Sequence, residues 1–216
     1  MTSERAEESV GLSQCAHGMQ AKLGGVGRLA EVSHGKLLYH VSLSELVTGQ
    51  RITQAGYASR PHYVFFREPP PRPEEVDDKY WSYRLTEQIF EGIRKEIGDH
   101  APSRRIAFFT FLCEHCADEF RSRSRRSGRT YSVQGDADAT AIVTDMRLRD
   151  AAAILARATI AERQTRGFPA SAEETIMRLA RAYWVGRAAR DLGGAVAVPE
   201  ILIDGDIVVR GLAPPS

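Results

Sequence analysis

Short β-rich runs in this chain follow no regular alternation with helices, and that order restricts the fold more than any other feature. Leu37-Leu38-Tyr39-His40-Val41 reads as a strand. His62-Tyr63-Val64-Phe65-Phe66 reads as a second, closed by Pro69, Pro70, Pro71 and Pro73, which lack the N–H that a ladder needs. Residues 74–97 read as a helix, with Glu74, Glu75, Asp77 and Asp78 at its positive end and an apolar face that includes Tyr80, Tyr83, Phe90 and Ile93. Arg105-Ile106-Ala107-Phe108-Phe109-Thr110-Phe111 is a strong strand signal, followed by a short helix over 113–126. Strands over 130–133 and 140–143 and an Ala-rich helix over 148–164 come next. Ser171-Ala172-Glu173-Glu174 has the form of a capping box and predicts a helix to about residue 192, stopped by Gly193-Gly194. Two last runs, 198–203 and 206–210, flank Asp204-Gly205, a pair that suits a two-residue hairpin because both turn positions need positive φ. The elements predict an α+β fold rather than a regular βαβ sheet.

With 216 residues, of which 43% are hydrophobic and 26% charged, the chain is long enough to bury a core without metal or disulfide staples. Lys+Arg is 29 and Asp+Glu is 28, a net charge of +1, which excludes both a strongly acidic solvating chain and a uniformly basic nucleic-acid coat. No apolar run approaches the roughly 18 residues of a membrane helix, and residues 1–11 lack an apolar stretch of signal-peptide type. Cys15, Cys113 and Cys116 make an odd, low count for a secreted framework, so the expectation is a cytoplasmic protein with reduced thiols and no membrane. Gly11, Gly18, Gly24, Gly25 and Gly27 break up residues 1–35, which read as a flexible N-terminal extension to a domain over 36–216.

Neither GxxxxGK[ST] nor GxGxxG nor GxSxG is present, which argues against nucleotide-hydrolase and α/β-hydrolase chemistry. Cys113-Glu114-His115-Cys116 has the spacing of half a zinc site; Cys15 and His17 are the candidates to complete it. The plainer reading is two small, part-buried helix residues, and a redox pair is the third. Arg121, Arg123, Arg125, Arg126 and Arg129 form either a solvated helix face or a phosphate-binding run. Glu200 stands in Val198-Pro199-Glu200-Ile201-Leu202-Ile203, where every neighbour is apolar or proline. A carboxylate there needs solvent, a partner or a ligand, because burying it alone is costly. Alternation puts it on one face with Leu202 and opposite Ile201 and Ile203.

Leu38-Tyr39-His40-Val41-Ser42, then Ile106-Ala107-Phe108-Phe109-Thr110 with Cys116-Ala117-Asp118-Glu119-Phe120, then Pro199-Glu200-Ile201-Leu202-Ile203 follow one another in an order that resembles the three motifs of the NAD-dependent ADP-ribosyltransferase superfamily, His-Tyr-Glu branch. The YHVS start and the EILIDG ending are similar to an uncharacterised bacterial family of that clan, and the likeness spans about residues 36–211. The resemblance implies a split, two-sheet β core with flanking helices and a cleft that takes NAD as substrate. It implies that His40 hydrogen-bonds the adenine-side ribose with Tyr39 also among the cofactor-binding residues, that Phe108 or Phe109 stacks on nicotinamide with Thr110 nearby, and that Glu200 is the catalytic glutamate, hydrogen-bonded to the nicotinamide ribose. The family usually carries tyrosine where this chain has phenylalanine, so the ring face is kept and the hydroxyl lost.

Cleaving the nicotinamide–ribose bond develops oxocarbenium character on the sugar, as in glycoside hydrolysis, and a fixed carboxylate beside the ribose lowers that barrier. The expected activity is therefore a mono-ADP-ribosyltransferase or NAD glycohydrolase, needing no metal, with protein, nucleic acid or water as acceptor. The alternatives are a catalytically degenerate binding module of the same fold and, further off, a nucleic-acid or zinc-binding adaptor built on the arginine run and the two cysteines.

Overall fold

The computed structural model describes residues 12–14, 20–54, 78–97, 100–124, 127–166, 170–194 and 196–213. The strands are β1 (Leu12–Gln14), β2 (Gln20–Lys22), β3 (Val26–Arg28), β4 (Leu38–Ser42), β5 (Arg51–Ile52), β6 (Phe108–Phe111), β7 (Arg129–Gly135), β8 (Thr140–Asp145), β9 (Pro199–Asp204) and β10 (Ile207–Leu212). The helices are α1 (Leu29–Val32), α2 (Asp78–Ile97), α3 (Glu114–Ser124), α4 (Met146–Arg166) and α5 (Ala170–Trp184), with a 3₁₀ turn at Ala189–Leu192. The expected strand over 62–66 lies outside the described residues. The fold is α+β, and no described helix is long and apolar enough to cross a membrane.

β1 and β2 pair with each other, and the other eight strands form one antiparallel sheet in the order β3-β8-β9-β6-β4-β7-β10-β5. The middle of this sheet is thin. β4 and β6 share a single registered pair, Tyr39 with Phe111, whereas β6 runs against β9 from Phe108 to Phe111 and β4 against β7 from Leu38 to Ser42. The sheet is thus two groups of four strands joined at one point. Strand alternation sends Phe108, Val143, Ile201 and Ile203 from one group, and Leu38, Val133, Ile207 and Val209 from the other, into one shared buried cluster. Ile142 and Leu202 leave by the opposite face and pack against Phe90, Leu148, Ile176 and Tyr183 of the α2, α4 and α5 layer. Each such side chain, fully buried, stabilises the fold by about 1.5–3 kcal/mol. α3 sets Cys116 and Ala117 against Val41 and Phe111.

Three expectations are corrected. Asp204-Gly205 does not make a hairpin: β9 lies between β8 and β6, while β10 lies between β7 and β5. Both edges of β9 are already paired, so the turn carries the chain across to the other group, where Arg51 Nε donates to Asp206 Oδ2 at 2.8 Å and the Gln54 N–H to Oδ1 at 3.1 Å. The folded region also begins upstream of residue 36, since β3 pairs with β8 and Leu23 and Leu29 are buried. The helix expected to run to about 192 ends at Trp184, because Gly186 takes φ +78° and turns the chain.

That turn brings two backbones together. A Cβ built on Gly186 would lie 2.4 Å from the Leu23 carbonyl, and one on Gly24 (φ +82°) would lie 2.7 Å from Gly186 Cα. Gly193 has the same φ of +78° but open space around it. In urea unfolding, Gly186→Ala is expected to cost about 3 kcal/mol, from overpacking added to left-handed strain. Gly193→Ala is expected to cost about 1 kcal/mol, from the strain alone. Equal losses would show that the close approach carries no energy.

Candidate functional site: a buried charge cluster

Glu200 sits opposite Phe111 of β6 and Thr144 of β8, so its side chain leaves the sheet on the helix face with Leu202. It does not reach water: the side chain is 3% exposed. Its Oε1 accepts from Arg104 Nη1 at 2.8 Å and from the Tyr183 hydroxyl at 2.8 Å. Arg104, in the segment leading into β6, also donates from Nε to Glu87 Oε2 at 3.0 Å and from Nη1 to the Tyr183 hydroxyl. Glu87, on α2, accepts in turn from Arg149 Nε of α4 at 2.9 Å. Ring faces complete the enclosure, with the Arg104 guanidinium carbon 4.7 Å from the Phe109 centroid and that of Arg149 4.3 Å from the Tyr83 centroid.

Two guanidiniums face two carboxylates, so the cluster is neutral as a whole. Burial alone drives Glu87 towards its protonated form, but Arg104 and Arg149 more than offset this and hold its carboxyl below the ordinary 4.5. Burial works against the Arg104 charge, yet Glu87, Tyr183 and Glu200 hold its pKa well above the ordinary range. Tyr183 is pushed well above its ordinary value, chiefly by burial, and stays protonated as the donor to Glu200. Asp145, fully buried beside this group, is raised by burial against three backbone N–H donors, those of Ala189, Val198 and Arg147.

The residues singled out in the sequence fall on three neighbouring strands: Tyr39 and His40 on β4, Phe108, Phe109 and Thr110 on β6, Glu200 on β9. The sheet then divides them. Tyr39, Phe109 and Glu200 belong to the face that carries Phe111, while His40, Phe108 and Thr110 belong to the other. His40 is 2% exposed, its ring edge-to-face with Phe108 at 6.3 Å. Its Nδ1 donates to the Phe109 carbonyl at 2.9 Å, bridging β4 to β6 beside the one point where their ladder forms. Thr110 donates its hydroxyl to the Ile201 carbonyl at 3.2 Å.

Glu87, Arg104, Arg149 and Tyr183 were not anticipated. Glu87 carried a readable signal, since it falls four residues after Tyr83 and three before Phe90, on the apolar stripe of the helix. A charge on such a stripe calls for a buried partner. Arg104 carried no comparable signal in Ser103-Arg104-Arg105.

The arginine run is largely internally paired. Arg121 meets Asp118 at 3.0 Å, Arg123 meets Asp150 at 3.2 Å, and Arg129 meets Glu45 at 2.8 Å; Arg125 and Arg126 lie outside the described residues. Among the described residues no group of three or more His, Cys, Asp or Glu is disposed to hold a metal ion; Cys15 and His17 lie outside them. Neither the models of known protein families nor the curated proteins contain a match to this chain.

Chemically, the cluster locks three helices to the sheet through charge-assisted hydrogen bonds. It is poorly disposed to steady a sugar cation, because Arg104 cancels the field of Glu200 and the helix layer covers it. These residues, as placed, do not fit the reacting end of a bound NAD.

Arg104→Ala would leave two buried carboxylates short of a partner and is expected to cost about 3–5 kcal/mol in urea unfolding. The pH dependence has a defined sign. A carboxyl held below its unfolded value of 4.5 contributes stability above that pH and loses it as pH falls through its folded value. Asp145, raised, runs the opposite way, so the difference between wild type and Glu87→Gln isolates Glu87. That difference is expected to shrink below pH 4.5; a difference constant from pH 7 to pH 3 would refute the assignment.

Proposed function

We propose that this protein is an ADP-ribosyltransferase-like module of degenerate chemistry, in which the acid of the third motif has been drawn into the structural core. The observation that carries this reading is the Glu200 carboxylate itself, bonded at 2.8 Å to both Arg104 and Tyr183 and 3% exposed. The phenylalanines in place of the family's tyrosine fit the same loss. Two features support the fold half of the proposal. The eight strands fall into two groups joined by one pair, and both groups feed one cluster, as a split core requires. NAD is the ligand the resemblance points to, and a protein is the alternative partner.

A second reading, an active NAD-dependent mono-ADP-ribosyltransferase or NAD glycohydrolase, is favoured by a different observation. Segments far apart in sequence, each carrying one of the three motifs, occupy β4, β6 and β9 side by side.

The two separate in one experiment. The full chain is incubated with NAD, nicotinamide release is followed by chromatography, and binding is measured in parallel by calorimetry. The degenerate module gives no release above the protein-free control, with or without Glu200→Gln. Release that falls about 10²–10³-fold in Glu200→Gln, the loss typical of removing one group that stabilises transition-state charge, would establish the enzyme instead. Absence of NAD binding would move the ligand from a dinucleotide to a protein.

A further inference from the structure

Cys113 and Cys116 play no part in the reading above, and their placement is specific. Cys113 is the N-cap of α3. Its carbonyl accepts from the Ala117 N–H at 3.2 Å, as a cap residue's does, and its Sγ accepts from the Cys116 N–H at 3.3 Å. Both residues are thiols; Cys113 is half-buried and Cys116 is 3% exposed. They pack with Tyr39, Val41 and Phe111 at the junction of β4 and β6.

A disulfide spans a Cβ–Cβ separation of roughly 3.5–4.5 Å, shorter than the about 5–6 Å of residues three apart within a helix, so bonding Cys113 to Cys116 draws the cap residue in towards the helix. The Cys113 sulfur already sits on the Cys116 amide at 3.3 Å, so the two side chains meet at the first turn of α3, where a helix end yields most easily. The exposures divide the labour. A reagent in solution meets Cys113 first, and Cys116 is shielded from it but adjacent to Cys113.

We propose that Cys113 and Cys116 form a redox-active dithiol that exchanges with low-molecular-weight disulfides. The Cys113 thiolate attacks one sulfur of the external disulfide, forming a mixed disulfide and expelling one thiolate. Cys116 then loses its proton to solvent and attacks the Cys113 sulfur, closing the intramolecular bond and expelling the second thiolate. The protein dithiol is oxidised by two electrons, and the external disulfide is reduced to two thiols. The proposal draws nothing from NAD and stands whether or not the chain binds it.

The full chain is equilibrated in buffers of reduced and oxidised glutathione of rising oxidised share, quenched in acid, alkylated and mapped by mass spectrometry. Cys113 and Cys116 are expected to lose alkylation together, in wild type and in Cys15→Ser alike, and to regain it with a dithiol reductant. Cys116→Ser is expected to accumulate glutathione on Cys113. Cys113→Ser is expected to form its adduct on Cys116 at least about tenfold more slowly. Full alkylation of both cysteines in every buffer, a bridge to Cys15 in place of the internal one, or equal adduct rates at the two positions would overturn the proposal. The wild-type titration needs no variant to fold.

Discussion

Arg104 keeps its charge inside the protein, because a guanidinium does not give up its proton there, and much of the packing answers to that demand. Its side chain is 6% exposed. It is tied to Glu87 on α2, to Glu200 on β9 and to Tyr183 on α5, with Arg149 of α4 balancing the second acid. Two helices and a strand therefore meet on one residue that enters from a loop, and a third helix joins them through Glu87. Apolar packing through Phe90, Leu148, Leu202 and Ile176 fixes how far the helix layer lies from the sheet. The charges fix its register, since a slip of one turn along α2 would leave a buried carboxylate unpaired, at a cost of several kcal/mol.

The same arrangement explains why a motif found in order along the chain need not become a working site. Glu200, Phe109 and His40 lie within three adjacent strands, yet a strand presents successive side chains to opposite faces. His40 turns towards the cluster shared by the two strand groups, and its imidazole serves the Phe109 carbonyl. Glu200 turns towards the helices and serves Arg104. Neighbouring in the sheet is settled by backbone pairing; sharing a pocket depends also on parity and on what covers each face.

Much of the fold was legible because its signals are local. Phe108–Phe111, Thr140–Asp145 and Pro199–Asp204 are strands with β-branched and aromatic residues, and α2, α3 and α4 carry clear helical patterns. The losses lie where tertiary structure decides. Asp204-Gly205 suits a hairpin by turn chemistry, but β6 and β8 had claimed both edges of β9. The glycines before residue 36 resemble a loose tail until Gly24 is seen pressed against Gly186, a contact that no window of sequence displays. In the candidate site, Glu200 was legible as an acid among apolar neighbours. Its partner was not, because a salt bridge across 96 residues leaves no local trace at Arg104.

The crossover at Asp204-Gly205 sets a schedule for synthesis. β9 fills an interior place between β8 and β6, and β10 fills one between β7 and β5, so both strand groups lack a central member until these late segments exist. The segments of α2 to α5 are synthesised before β9 and β10, so the edges of β8, β6, β7 and β5 that these strands cover stay open until the last two strands exist. Until Leu212 has emerged, the unfinished sheet offers several open edges to any passing strand, the kind of exposure through which chains misassemble.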